Sequence, residues 1–261
     1  MCARLDNIDM FEDIKGKRVL VTGASGGMGS EIVKLFAEHG ARLGLHYFVN
    51  KEEAIKLLEE VRGKNGEAEI FQADLRNEEE GRNLIKLFVG KFEGIDVLVN
   101  NAGAVYDYKH FSELDEKSFR DTFDLNVKAP FCLMKEAFPH MKEQGGGRIV
   151  NLSSVNVKYG GSAKSMHYVA AKAALENLTL GFAKEGAEHN ILVNTVRCGV
   201  IDTPMRTRIA GYSEEDFQKR INLVPLKRAG KPQDIARMVL FLAAETGNFI
   251  TGEIFTVAGG D

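Results

Sequence analysis

A chain of 261 residues, 44% of them hydrophobic, is long enough for one sizeable core, and an open α/β sheet of this length normally forms a single domain over residues 1–261. Its 34 Lys and Arg against 37 Asp and Glu leave a formal charge of −3, which gives no electrostatic reason to expect nucleic acid or an anionic membrane as partner; a small molecule is the expected one. Cys2, Cys132 and Cys198 have neither the spacing nor the density of a disulfide framework or a metal site, and neither Met1–Gly16 nor any later segment has the apolar length of a leader or a bilayer span, so the expected location is a reducing cytoplasm.

Along the chain, short apolar runs rich in β-formers alternate with longer helical patterns. Arg18–Thr22 runs into a glycine cluster that opens a helix over Gly29–Glu38, followed by a strand at Arg42–Tyr47 and a helix at Lys51–Lys64. Ala68–Gln72, the helix Glu78–Phe92, Asp96–Asn100 and a long helical pattern over Glu116–Glu143 come next. The strand Arg148–Leu152, the helix Met166–Glu188, the strand Leu192–Val196, the helix Gln233–Ala244 and the strand Ile254–Val257 complete the series. Near-continuous apolar strands separated by helices predict an α/β fold, a doubly wound Rossmann-type parallel sheet of about seven strands with helices on both faces.

Two of these helices are apolar around most of their circumference. Phe119, Phe123, Val127, Phe131, Leu133, Met134 and Phe138 spread around the first, and Val169, Ala171, Ala173, Ala174, Leu178 and Phe182 around the second. A helix of that kind is buried on two sides, either in a deep intrachain core or at a subunit interface.

The cluster Thr22-Gly23-Ala24-Ser25-Gly26-Gly27-Met28-Gly29 stands between strand and helix. There, glycines let the backbone approach phosphate oxygens while the helix N-terminus faces the anion. The spacing is TGxxxGxG, and as an isolated string it also suits an ordinary turn.

Tyr168 and Lys172 lie four apart on a predicted helix and share a face. A tyrosine of ordinary pKa near ~10 is a poor base at neutral pH, and a neighbouring ammonium would lower it toward proton transfer. Tyr47 and Lys51 spell the same pattern, so the pair alone equally describes a solvated helix face. Only Tyr168 has hydroxyls, Ser153 and Ser154, at the carboxyl end of the preceding strand, where open α/β sheets hold their ligands.

With these pieces in order, the chain resembles the short-chain dehydrogenase/reductase family over almost its whole length. The resemblance implies NAD(P)-dependent hydride transfer between a nicotinamide cofactor and a carbonyl or secondary alcohol, in a homotetramer. It implies Tyr168 as general acid/base, Ser154 steadying the substrate oxygen, Lys172 lowering the tyrosine pKa and holding the nicotinamide ribose, and Asn126 ordering a proton-relay water. The cofactor would meet Gly23, Ser25, Gly27, Met28 and Gly29 at the pyrophosphate and Asp74 and Leu75 at the adenine. Asn101, Ala102 and Gly103 would lie beside it, with Thr203 at the carboxamide. Taken singly, Asp74 and Asn126 equally suit caps or turns.

Three departures from the family pattern stand out: thirteen rather than twelve residues separate Ser154 from Tyr168, Cys198 precedes Gly199 where proline is usual, and Ala258 replaces a usual Asn or Asp. At the end of the second strand, Tyr47 and Lys51 complete the expected cofactor wall, and no acid precedes Glu52. With nothing there to repel a 2′-phosphate, and Lys51 and Arg42 expected to attract it, NADP is favoured over NAD; Gly26, where NADP-dependent relatives often carry a base, points the other way. The end of the chain resembles 3-oxoacyl-carrier-protein reductases, though Ala104-Val105-Tyr106-Asp107 lacks the arginine often found there. Sugar or cyclic-alcohol dehydrogenases of the same family, and a non-catalytic dinucleotide-binding sensor, are the alternatives. Substrate contacts are expected from Val155–His167 and Met205–Leu223.

Overall fold

Strand side chains divide between two apolar layers. Leu20, Leu98, Ile149 and Val193 belong to one buried cluster, and Val19, Val21, Val97, Val99, Val150 and Val196 to the other. Alternate residues of one strand point to opposite faces of a sheet, so a strand apolar at every position must be covered on both sides.

The protein is described here by a computed structural model covering residues 10–204 and 212–261. Its strands are β1 (Arg18–Val21), β2 (Arg42–Tyr47), β3 (Glu67–Gln72), β4 (Val97–Asn100), β5 (Gly147–Ser154), β6 (Ile191–Cys198) and β7 (Ile254–Val257). The helices are α1 (Gly27–Glu38), α2 (Lys51–Gly63), α3 (Glu78–Phe92), α4 (Glu116–Phe123), α5 (Ala129–Glu143), α6 (Met166–Gly186), α7 (Glu214–Leu223) and α8 (Pro232–Ala243). The seven strands form one parallel sheet in the order β3-β2-β1-β4-β5-β6-β7. α1, α2 and α8 contribute Phe36, Leu58 and Val239 to one layer; α3, α5 and α6 contribute Phe88, Met134 and Ala183 to the other. Strand order reverses between β1 and β4, and a crevice opens beyond the carboxyl ends of strands at such a point.

The long helix expected over Glu116–Glu143 is broken. Between α4 and α5, Asp124–Lys128 widens into a π turn. Pro130 has no N–H to donate to the Asn126 carbonyl, so the regular ladder cannot run through this point. Such turns recur at functional sites because they rotate one side chain out of helical register. Helix α7 was not foreseen, and a Ser213–Asp216 capping box starts it.

Candidate active site

The glycine loop is tied to the neighbouring strand rather than left free. The Thr22 hydroxyl accepts the N–H groups of Asn101 and Ala102, both at 3.0 Å. The Asn101 amide donates back to the carbonyls of Thr22 and Gly23 at 2.7 and 3.0 Å. Gly29 packs so closely here that a methyl group on it would overlap the Gly23 carbonyl oxygen and lie 2.7 Å from Asn101 Nδ2.

His46, which was not foreseen as part of the site, holds this loop from the other side. Its Nδ1 accepts the Gly23 N–H at 3.0 Å, and its Nε2 donates to the Ala73 carbonyl at 3.0 Å. One ring thereby joins the loop after β1 to the end of β3. A histidine inside an otherwise apolar strand was the available signal. Burial pushes its pKa down to about 4, against the opposing pull of the Ala73 carbonyl and Asp74. Protonation at Nδ1 would set a proton against the Gly23 N–H. The unfolded chain takes up this proton below about pH 6.5 while the native chain stays neutral down to about pH 4, so this contribution is complete above pH 6.5 and is lost as pH falls. Linkage makes the loss on the order of 3 kcal/mol by pH 4. Urea unfolding at pH 7 and pH 4.5 should therefore show a steeper decline for the wild type than for His46→Asn.

A cleft of about 770 Å³ runs along the carboxyl ends of the strands, within the range of small-molecule and cofactor sites. Gly23, Ser25, Gly27, Met28, Asp74, Leu75, Asn101, Ala102, Gly103 and Thr203 all line it, as expected of a cofactor wall. Gly29 backs the loop from its buried side. At its far end both oxygens of Asp74 are taken by Arg76, at 2.6 to 3.2 Å, which holds that carboxyl below its usual range. The Arg76 guanidinium also lies over the rings of Phe48 and Tyr106, 5.6 and 5.8 Å from their centroids. Phe48 and Tyr106 both line the cleft, so this arginine latches the loops on its two sides.

The wall at the end of β2 is made by Phe48, Val49 and Asn50 rather than by Tyr47 and Lys51. Tyr47 is buried and Lys51 is exposed on the first turn of α2. The expectation for Arg42 is corrected. It begins β2 at the opposite edge of the sheet, where it forms a two-point ion pair with Glu67 at 2.7 and 2.9 Å and covers Phe92. A strand of that length puts it roughly 17 Å from Tyr47, beyond reach of the cleft. The lysines in the wall, Lys34 and Lys56, already pair with Glu60 and Glu53.

The predicted proton-transfer residues meet where β4, β5 and α6 converge. The Lys172 ammonium donates to the Leu152 carbonyl at 2.9 Å and stands 5.7 Å from the centre of the Tyr168 ring. The π turn aims Asn126 at the same corner. Its Nδ2 donates to the carbonyls of Ala104 and Thr122 at 2.9 and 2.8 Å, while its buried Oδ1 has no partner among the described residues. A Cβ on Gly103 would sit 2.8 Å from that Oδ1 and 3.2 Å from Lys172 Nζ, so only glycine keeps this corner open. Ser154 ends β5, and its hydroxyl accepts the Asn156 N–H at 3.3 Å. Between Ser154 and Tyr168 the chain passes through an exposed stretch, 160–164, where Gly160 and Gly161 both have positive φ.

The expected depression of the Tyr168 pKa is not what this geometry gives. Burial pushes the phenol above its ordinary range, with Cys198 adding to the effect. Burial also lowers Lys172 to about 8, opposed by Cys198 and Glu176. Cys198, pushed up to about 12 by burial, stays a neutral thiol.

Of the expected substrate segments, Val155–Tyr159 forms a 3₁₀ turn, and residues 205–211 lie outside the described residues. His167, also unforeseen, bonds through Nε2 to the Tyr106 carbonyl at 2.9 Å, fastening the segment after β4 to the start of α6. Among the described residues no cluster of His, Cys, Asp or Glu could hold a metal, and no helix is long and apolar enough to cross a membrane.

The chain is similar to known proteins over nearly its whole length. Residues 23–261 match the family model described as enoyl-(acyl carrier protein) reductase. The chain is 37% identical to the 3-oxoacyl-(acyl-carrier-protein) reductase of Staphylococcus aureus, over 94% of this chain and 97% of that one. It is 36% identical to an uncharacterized oxidoreductase of Thermotoga maritima, over 95% and 98%. Among solved structures, a blue fluorescent protein from a metagenomic library in complex with NADPH superposes with a TM-score of 0.88 at 33% identity, covering 95% of this chain and 98% of that one. A short-chain dehydrogenase from Burkholderia cenocepacia in complex with NADP gives 0.87 at 32%, with 95% and 98% covered. The parallel sheet, the glycine loop that opens the cleft and the match over nearly the full length lead to one conclusion: the chain belongs to the short-chain dehydrogenase/reductase family of NAD(P)-dependent oxidoreductases.

Proposed function

We propose that this protein reduces a carbonyl group with NADPH, and that Tyr168, Lys172, Ser154 and Asn126 carry the chemistry. The observation that supports this most directly is the corner around Gly103, where Lys172 Nζ and the unpartnered Asn126 Oδ1 face the same opening. The cleft fits a dinucleotide in size and in its glycine-lined floor. Bound there, the reduced cofactor supplies the hydride.

The protein's own residues supply the proton. At neutral pH the raised Tyr168 phenol is fully protonated and Lys172, near 8, is mostly ammonium. A protonated phenol is the form that donates to a carbonyl oxygen as negative charge develops on it. Ser154, at the same strand end, hydrogen-bonds that oxygen and fixes its distance from the phenol. Lys172 stabilises the phenolate left behind, and Asn126 Oδ1 holds the water through which a proton returns.

The substrate we propose is a 3-oxoacyl thioester, supported by the similarity to the staphylococcal reductase. A screen of NADPH oxidation against 3-oxoacyl thioesters, sugars and cyclic ketones tests this; turnover confined to the latter two classes overturns it. For the cofactor, the NADPH- and NADP-bound relatives support NADP(H). Titration calorimetry should show tighter binding of NADPH than of NADH, and equal or reversed affinities would refute the preference.

Assembly as a homotetramer is supported by apolar side chains left in solvent. Phe119 is 47% exposed, Phe131 40% and Leu180 37%, and Ala170, Ala173 and Leu180 form an exposed stripe along α6. A second copy related by a two-fold axis would cover this face. Ala173→Glu should fold as a monomer yet break the wild-type assembly, because it would bury an unpaired carboxylate. Sedimentation velocity at micromolar concentration checks this, and a monomeric wild type would end the proposal.

A further inference from the structure

Below Tyr168 and Lys172, the same face of α6 presents Glu176 and Thr179 to the sheet, both buried. Glu176 accepts the Ser153 hydroxyl at 2.7 Å and both Nε and Nη2 of Arg197, at 2.7 and 2.6 Å. Ser153 and Arg197 stand opposite one another in the β5–β6 register, one rung before Ser154 and Cys198. One turn deeper, the Thr179 hydroxyl donates to the Leu175 carbonyl and bonds Asn151 Nδ2 and Thr195 Oγ1 at 2.9 and 2.7 Å. Asn151 and Thr195 form another rung of the same pair of strands.

These layers sit where apolar packing would suffice for stability. Glu176 is buried and Arg197 partly so, and a desolvated carboxylate–guanidinium pair is often no more stable than hydrophobic residues of similar volume. Apolar contact is also non-directional, whereas a hydrogen bond weakens steeply with displacement and angle. On the buried side of α6, Val169 and Leu175 supply apolar packing beside the small Ala171 and Ala183, and the directional contacts come from Glu176 and Thr179.

We propose that Glu176 is a positioning residue for the reaction: by gripping Ser153 and Arg197 it fixes the register of α6 on the ends of β5 and β6, and so the placement of Tyr168 and Lys172 against Ser154. The proposal rests on the roles given above to Tyr168 and Lys172. The groups facing Lys172 are Tyr168 and Glu176 along its own helix, the neutral Cys198 thiol from β6, the Leu152 carbonyl from β5 and, across Gly103, the Asn126 amide. Glu176 is the one carboxyl group among them, and it pairs with Arg197. Removing its charge leaves the partly buried Arg197 without its anionic partner, and both changes disfavour the Lys172 ammonium.

Two variants test this, Glu176→Gln and the double change Glu176→Leu with Arg197→Met. In the cofactor-free protein labelled at lysine Cε with ¹³C, the Lys172 signal is assigned by its loss in Lys172→Met. It should titrate at lower pH in Glu176→Gln, by about one unit, the scale of a nearby charge. The double variant should unfold at or above the wild-type temperature. Its kcat for reducing acetoacetyl-coenzyme A with NADPH should nonetheless fall by about tenfold or more, the scale expected of misplaced groups, with the KM for NADPH little changed. A double variant with wild-type kcat overturns the proposal, as does an unmoved Lys172 titration in Glu176→Gln. If Glu176→Gln does not fold, the double variant decides alone. Tyr168→Phe in the same assay separates the two claims. Turnover in that variant sinks the site assignment itself, whereas its loss alongside wild-type behaviour of the Glu176 variants sinks only this inference.

Discussion

Tyr168→Phe is expected to give a folded protein that still binds NADPH and has lost turnover by about 10²-fold or more, the scale of general acid catalysis. Phenylalanine keeps the ring and its packing in α6 while removing the hydroxyl proposed to give up its proton to the substrate oxygen. Lys172 stays bonded to the Leu152 carbonyl, so the rest of the corner is unaltered. Stopped-flow measurement of NADPH oxidation under single-turnover conditions checks the chemical step apart from product release. Tyr47→Phe is the control. Tyr47 has the same spacing to a lysine but lies buried at the end of β2, outside the cleft wall, and its loss should leave that step unchanged.

Gly29→Ala should weaken NADPH binding by roughly tenfold to a hundredfold, the equivalent of the ~1–3 kcal/mol that overpacking typically costs. The added methyl has nowhere to go. It would meet the Gly23 carbonyl and the Asn101 amide, which are backbone and a doubly bonded side chain rather than the free end of a flexible one. Relief therefore requires the loop to move off β4, carrying the Gly23 N–H away from His46. Fluorescence titration with NADPH measures the loss. Circular dichroism should show the fold retained, and affinity equal to wild type would contradict the packing seen around Gly29.

Much of the cleft was legible in advance because it is local. Gly23, Ser25, Gly27, Met28 and Gly29 occupy a single strand–turn–helix, and Tyr168 and Lys172 share a helix face through spacing alone. Asp74 and Asn101 were found through their place in a family pattern. The structure adds what each of them holds, Arg76 in one case and the Thr22–Gly23 carbonyls in the other.

The sequence by itself determined the parallel sheet with helices on both faces, because near-continuously apolar strands separated by helices must be covered on both sides. It also determined the glycine loop and the tyrosine–lysine face, because both are set by periodicity within one element. Tertiary structure alone decided that Arg42 belongs to an ion pair at the far edge and that Pro130 turns Asn126 inward through a π turn. It alone decided that His46 braces the glycine loop, and that Glu176 joins Ser153 to Arg197 across 23 and 21 residues of chain. The physical reason is common to all four. Hydrogen bonds and burial act between groups close in space, so a polar side chain far from its partner in sequence has a role only once strand order and register have brought the two together.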